Sequence, residues 1–357
     1  MLKYRRLFEE LRGHITSGKP PPGSRLDSEP KLAQQYGVSR QTIRQAIALL
    51  EEEGLVDRVQ GSGTYVRQPE SPAPRPSTHT IALVLTSDNE YILPPIISGI
   101  SSTLMEAGYT TSLYVTNNSL ENEARILRGL LDNPPDGLLL EPIRNVIYQL
   151  NQDLYRQIEQ TIPCVLLHSE YPGSNLPCVS PDNEGTAAHA VQYLFQRGHR
   201  RIGGIFKLDD LASHARFAGY VHGLHDCGLL LEESKVVWYT TETMNCLYDG
   251  SYGNYLYELL CSCTALVCFN DEIASLIYQF ARNRGLFIPQ DLSLISFDDS
   301  ILTRMEYSLS SYAHPKAQLG IRAAENLLHL IQDPTFNANC KFLLELTERT
   351  SVCSRAK

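Results

Sequence analysis

Two sets of residues in this chain carry polar chemistry at useful spacing. The first is Arg40, Gln41, Arg44 and Gln45, inside the segment Ser39-Arg-Gln-Thr-Ile-Arg-Gln-Ala-Ile47. Their helical spacing gathers two guanidinium groups and two amides on one face, while Ile43, Ala46, Ile47 and Leu50 form an apolar stripe on the other. Such long, forked donors reach base edges and phosphates. The second set stands just after short apolar runs: Asp88, Asn89 and Tyr91, Glu141, His168, Lys207, Asp209 and Asp210, Asn270 and Asp271, Asp298 and Asp299. Carboxylates, amides, a lysine and an aromatic ring suit a polyhydroxylated ligand, because each hydroxyl both donates and accepts. For any one of these residues, a loop cap or a solvated charge is the commoner explanation.

The elements that must position the first set read as a winged helix-turn-helix. Tyr4, Leu7, Phe8, Leu11 and Ile15 follow helical spacing, and Gly18-Lys-Pro-Pro-Pro-Gly23 ends that helix. Ser28 is expected to cap a second helix that begins Glu29-Pro30, with Leu32, Ala33 and Tyr36 facing inward. Gly37 serves the turn and Ser39 caps the third helix. Leu55–Val59 and Thr64–Arg67, around Gln60-Gly-Ser-Gly63, predict a β-hairpin wing. The acidic run Glu51-Glu-Glu53 is expected to point away from nucleic acid.

The second set needs a parallel sheet. Apolar runs at 81–85, 137–140, 163–167, 201–205, 265–269 and 292–297 suit buried strands. A strand is also expected at 110–115, and helices at 96–108 and 124–131. Strands alternating with helices predict a doubly wound α/β fold, and about 280 residues suit two such halves with a cleft between them. Ligands in these sheets bind beyond the carboxyl ends of the strands, where the polar residues fall. Ile96, Ile97, Ile100 and Leu104 are expected in a core or partly in a subunit interface.

Charge divides the chain in the same way. The 357 residues carry a net charge of −9. Residues 1–68 hold 11 Lys/Arg against 8 Asp/Glu, so the excess of acid belongs entirely to the remainder. The proline-rich stretch 69–79 between them is expected to be extended. The domains are therefore placed at 1–68, a linker at 69–79, and 80–357.

At residues 24–66, SRLDSEPKLAQQYGVSRQTIRQAIALLEEEGLVDRVQGSGTYV resembles the winged helix of GntR-family regulators, with Leu26-Asp-Ser-Glu29 where the family usually has L-P-S-E. That resemblance implies contacts to double-stranded operator DNA from Ser39, Arg40, Gln41, Thr42 and Arg44 and from the wing tip at Gln60 and Gly61. QRGHRRIGGI, FNDEIA and RGLFIPQDLSLISFDDS resemble the sensor domain of the lactose/galactose-repressor family, itself similar to periplasmic sugar-binding proteins. This implies a two-lobed fold and ligand contacts at Arg216, Asn270 and Asp298. No lactose-repressor-type DNA-binding head precedes Ile81.

The hybrid, with EYILPPIISGI, TNNSLENE, DGLLLEP, GIFKLDD and HPKAQLG, resembles GntR-headed regulators that respond to L-arabinose. It implies Tyr91, Glu141, Lys207 and His314 as further sugar contacts, a homodimer, and a repressor that a small sugar releases from DNA. Another pentose, a hexose or a nucleoside remains open as the effector.

Other classes fit less well. There is no G-x-S-x-G, Walker, H-E-x-x-H or strand-following G-x-G-x-x-G motif, which argues against an enzyme. An aminotransferase-like partner domain would need a cofactor lysine site, and none is convincing. Cys261, Cys263 and Cys268 lack zinc-site spacing, so no metal and no cofactor is expected. No apolar run reaches membrane-spanning length, and the charged N-terminus lacks a signal-peptide core. A cytoplasmic location is therefore expected, and a transport-type binding protein is disfavoured.

Overall fold

A computed structural model describes residues 3–16, 20–21, 23–59, 62–67, 77–86, 92–143, 150–247, 249–305 and 307–355. The chain forms two compact units, Met1–Pro76 and Ser77–Lys357.

In the first unit, helices α1 (Lys3–Thr16), α2 (Glu29–Tyr36) and α3 (Arg40–Glu52) precede a hairpin of β1 (Val56–Val59) and β2 (Gly63–Val66). Leu7, Phe8, Leu11 and Ile15 of α1 pack with Leu32, with Ile43, Ala46, Ile47 and Leu50 of α3, and with Val56 and Val66. The apolar stripe of α3 is thus the centre of this small core. Gly37 takes φ +63 at the end of α2, the left-handed conformation that the turn into α3 needs. Ser39 caps α3, accepting from the Thr42 amide at 3.2 Å. Ser28 occupies the N-cap position of α2, but its side chain accepts no helix hydrogen bond. Pro30, in the first turn, has no N–H to offer.

The second unit runs β3 (Thr80–Leu85), α4 (Leu93–Glu106), β4 (Thr110–Val115), α5 (Leu120–Asp132), β5 (Gly137–Leu140), α6 (Gln152–Thr161), β6 (Cys164–Leu167), β7 (Cys178–Pro181), α7 (Asn183–Gln196), β8 (Ile202–Lys207), α8 (Leu211–Asp226), β9 (Val236–Tyr239), α9 (Gly250–Ser262), β10 (Ala265–Cys268), α10 (Asp271–Asn283), β11 (Ser293–Asp298), α11 (Leu302–Met305), β12 (Ser310–Ala313), α12 (Lys316–Gln332), β13 (Cys340–Phe342) and β14 (Leu346–Thr347). Two sheets result, ordered β13-β7-β6-β5-β3-β4 and β14-β12-β11-β10-β8-β9. Pairing is parallel throughout except between β12 and β14.

Alternation along each strand explains why each sheet is covered on both faces. Ile81, Leu83 and Leu85 of β3 pack against α4 and α12, whereas Ala82 and Val84 pack against α5 and α6. In the second lobe, Ile202 and Phe206 face α7 and α8, while Ile205 faces α9 and α10. These strands are buried on both sides, hence the continuous apolar runs. The doubly wound α/β expectation holds. Ile96, Ile100 and Leu104 are core residues with no exposure, and Ile97 packs beside them.

Several strands escaped the sequence reading. β12 is Ser310-Ser-Tyr-Ala313, and its two serines are fully buried, so hydropathy hides it. β9, Val236-Val-Trp-Tyr239, carries a β-branched and aromatic signal that could have revealed it. The chain passes between lobes at β7–α7, β12–α12 and β13–β14.

The expected linker at 69–79 lies largely outside the described residues. Its last three residues are tied to the first lobe. Asp136 accepts from the Thr78 amide at 2.8 Å, the Thr78 hydroxyl at 2.9 Å and the His79 amide at 3.1 Å, and also from the Ser77 hydroxyl.

Candidate functional site

On the N-terminal unit, Arg40, Gln41, Arg44 and Gln45 are exposed, as the helical spacing required. Ser39 and Thr42 sit at the start of α3 with their hydroxyls 2.9 Å apart. Arg44 is 62% exposed at its side chain, and its Nε donates to Glu29 Oε2 at 2.9 Å, so α2 orients it. Arg58 on β1 lies close by, its guanidinium 3.4 Å from the Arg44 carbonyl and 3.5 Å from Glu51. Glu53 pairs with Arg12 at 3.2 Å. Two of the acids that would repel phosphate are thus matched by bases within the same unit. Gln60 and Gly61, the expected wing tip, lie outside the described residues.

In the second unit, one cavity of about 510 Å³ lies at the carboxyl ends of the strands of both lobes. Glu141, Lys207, Arg216, Asn270, Asp298 and His314 all line it, from positions far apart in sequence. Tyr91, Asp88 and Asn89 lie outside the described residues. Thr86, His168, Asn183, Asp209, Asp210 and Phe269 line the same cavity. Of these, Asn183 could have been found only from the sheet order, since no apolar run marked β7 before it.

The floor is a buried ionic cluster. Arg216 Nη2 stands 3.6 Å from Asp298 Oδ1. Arg216 Nε donates to Asn183 Oδ1 at 2.9 Å, another nitrogen donates to the Phe269 carbonyl, and its guanidinium lies 4.4 Å from the Phe297 ring centroid and 5.1 Å from that of Phe269. Lys316 Nζ donates to the Asp298 carbonyl. Burial raises the Asp298 carboxyl above its ordinary value, although Arg216, Lys316 and His168 pull it down. On the first lobe, Glu141 Oε2 accepts from the Thr86 amide at 2.8 Å and hydroxyl at 2.7 Å, and Oε1 lies 2.7 Å from His168 Nδ1. Burial works against ionisation of Glu141, but these partners hold its carboxyl below the usual value.

Backbone conformation at the wall is unusual. Asn117, Asn118, His168 and Asp298 all take positive φ, at 51°, 52°, 66° and 104°, and all line the cavity. Asn117 and Asn118 form a turn, where asparagine takes this conformation readily, whereas His168 and Asp298 hold it at strand ends, as residues at binding sites often do.

Not every strand-end acid belongs to the cavity. Asp271 turns into the protein, accepting from Ser296 Oγ at 2.5 Å, Ser311 Oγ at 2.7 Å and the Ser300 amide at 2.7 Å. Asp299 is held by Arg349 at 2.5 Å. Asn270 lines the cavity while its Oδ1 caps α10 through the Ile273 amide at 3.0 Å. Asp209 accepts from the Thr241 hydroxyl at 2.7 Å, and Asp210 caps α8. Among the described residues, no group of His, Cys, Asp and Glu is arranged to hold a metal ion, and no helix is long and apolar enough to cross a membrane.

Comparison with known proteins agrees with this architecture. Residues 3–66 match the family of bacterial regulatory proteins of the gntR type, and residues 191–352 match the periplasmic binding protein-like domain. An arabinose metabolism transcriptional repressor of Geobacillus stearothermophilus is 35% identical over 92% of this chain and 91% of its own length. The repressor of the same name from Halalkalibacterium halodurans is 32% identical over 92% of this chain and 89% of its own. Among solved structures, a periplasmic binding protein/LacI transcriptional regulator from Alkaliphilus metalliredigens, complexed with D-xylulofuranose, superposes with a TM-score of 0.63 at 23% identity. It covers 78% of this chain and all of that one, and shows the shared fold. Both modules, in this order and over nearly the full length of the relatives, make the chain a member of the bacterial repressor family that joins a GntR-type DNA-binding head to a periplasmic-binding-protein-like sensor and includes the arabinose metabolism repressors.

Proposed function

We propose that this repressor binds operator DNA as a homodimer in the cytoplasm and is released by L-arabinose. In this reading residues 1–68 bind DNA, 69–79 connect, and 80–357 sense the sugar and dimerise. Ser39, Arg40, Gln41, Thr42, Arg44, Gln60 and Gly61 contact the operator. Tyr91, Glu141, Lys207, Arg216, Asn270, Asp298 and His314 surround the sugar.

The observation that carries the reading is the convergence of Glu141 and His314 with Lys207, Arg216, Asn270 and Asp298 on one cavity. Its approximately 510 Å³ falls in the range of small-ligand sites. A mixed lining of acids, bases and amides suits a neutral polyol, whose hydroxyls pair with both signs. The same volume admits another pentose, a hexose or a nucleoside, so the test must compare them.

Release follows by linkage. Sugar lowers DNA affinity only if it binds the DNA-incompetent state more tightly, and the two effects are reciprocal. The experiment is a thermal-shift panel of pentoses and hexoses on the full chain, followed by titration of DNA selected by the protein from a random pool. L-arabinose is expected to raise the melting temperature most and to weaken DNA binding. Unchanged operator affinity at saturating L-arabinose would reject the reading.

A further inference from the structure

We infer that His168 is a sugar-contacting, specificity-determining residue and that Glu141 is the residue that positions it. The inference rests on the sugar-binding reading of the cavity.

Thr86, Glu141 and His168 follow β3, β5 and β6, which are neighbours in the sheet. The three side chains form a chain of hydrogen bonds across these strand ends. A carboxylate offers about four acceptor positions. Three of those of Glu141 are filled by the Thr86 amide, the Thr86 hydroxyl and His168 Nδ1. One position is left, so Glu141 can meet the sugar while it positions His168. Its carboxylate can only accept, so the proton at the 2.7 Å contact sits on His168 Nδ1. The other ring nitrogen, Nε2, is the atom left for a further partner. His168 lines the cavity, and its backbone takes φ +66.

His168 Nε2 is buried and has no hydrogen-bond partner among the described residues. The same is true of His314 Nδ1, on the segment where the chain crosses from β12 to α12. The two rings stand edge to face with centroids 5.3 Å apart. A buried polar atom without a partner costs about 1–3 kcal/mol. Two of them in one lining call for a group that donates and accepts at once, and a hydroxyl does both.

The surrounding charges shift the two rings in opposite directions. Burial opposes protonation of His168, but Glu141, Asp210 and Asp298 together raise it above its ordinary value. Burial, then the positive charges of His168, Lys316 and Arg216, push His314 well below its ordinary value. With its proton on Nδ1, neutral His168 accepts at Nε2, and only the protonated ring donates there. A sugar hydroxyl, which both donates and accepts, suits either state of His168 Nε2, while a deoxy carbon suits neither.

The test is calorimetric titration of L-arabinose into the full chain between about pH 5.5 and 8.5, a range spanning the histidine titration. The proteins are wild type, His168→Ala, His168→Gln and Glu141→Gln, with circular dichroism to confirm that each is folded. His168→Ala is expected to weaken binding on the order of ten- to a hundredfold, as loss of a buried hydrogen bond does. His168→Gln, whose amide reaches the Nε2 position, restores part of the loss. Glu141→Gln weakens binding less and moves its pH dependence to lower pH, because the anion that raises His168 is gone. A folded His168→Ala protein that binds within about twofold of wild type overturns the assignment alone. So does an unshifted pH profile in Glu141→Gln. Wild type that binds neither L-arabinose nor any other sugar overturns the sugar reading and the assignment with it.

Discussion

Arg216 and Asp298 meet as a buried ion pair at 3.6 Å, with side chains only 5% and 4% exposed. One comes from a helix after β8 and the other ends β11, on strands separated by β10. Two charges are brought so deep because each has further partners: Asn183 and the Phe269 carbonyl for Arg216, and Lys316 at the Asp298 backbone. Such a pair gives little net stability, but removing one partner leaves the other charge uncompensated.

Asp298→Ala is accordingly expected to destabilise the sensor by about 3 kcal/mol, the low end for a broken buried pair, since Arg216 keeps its other partners. L-arabinose should no longer raise the melting temperature of this variant. Urea unfolding and a thermal-shift titration check both parts. A variant that still responds to the sugar would place the pocket elsewhere.

Arg44→Ala is expected to weaken binding to the selected operator by about 1–3 kcal/mol if the guanidinium reads a base. Fluorescence anisotropy against the operator and a scrambled duplex separates two roles. Loss on the operator alone marks base reading, while equal loss on both, with a shallower salt dependence, marks a phosphate contact. L-arabinose binding should be unchanged, and no loss on either duplex would remove Arg44 from the interface.

Asp271 gives the sensor a pH signature. Burial, and then the negative charge of Asp298, push its carboxyl up to about 6 despite hydrogen bonds from Ser296, Ser300 and Ser311. The unfolded value is about 3.9. Between these values the folded state holds more protons, so this contribution is fully present below the unfolded value and is lost as pH rises through about 6. It should fade by about 1 kcal/mol between pH 5 and 7. Urea midpoints of wild type and Asp271→Asn at both pH values test this; a difference between the two proteins that does not change with pH counts against it.

Much of this was legible in the sequence because it is local. The stripe Ile43, Ala46, Ile47 and Leu50 and the polar face of Arg40 and Arg44 follow from helical spacing, and Ser39 and Gly37 mark their own positions. The continuous apolar runs follow from strands buried on both faces, and the charge division along the chain is simple counting. The sequence also suggested which strand ends carry polar groups.

Only the tertiary structure decided which of those groups meet. Asn270 and Asp271 are neighbours, as are Asp298 and Asp299, yet in each pair the first lines the cavity and the second is consumed inside the protein. The choice depends on backbone direction at the strand end and on partners such as Ser311 and Arg349, which lie far away in the chain. His168 is the clearest case. Its sequence position shows only a polar residue after an apolar strand. Its fixed tautomer and unpartnered nitrogen exist because the sheet order sets β6 beside β5, and so places Glu141 at its other face.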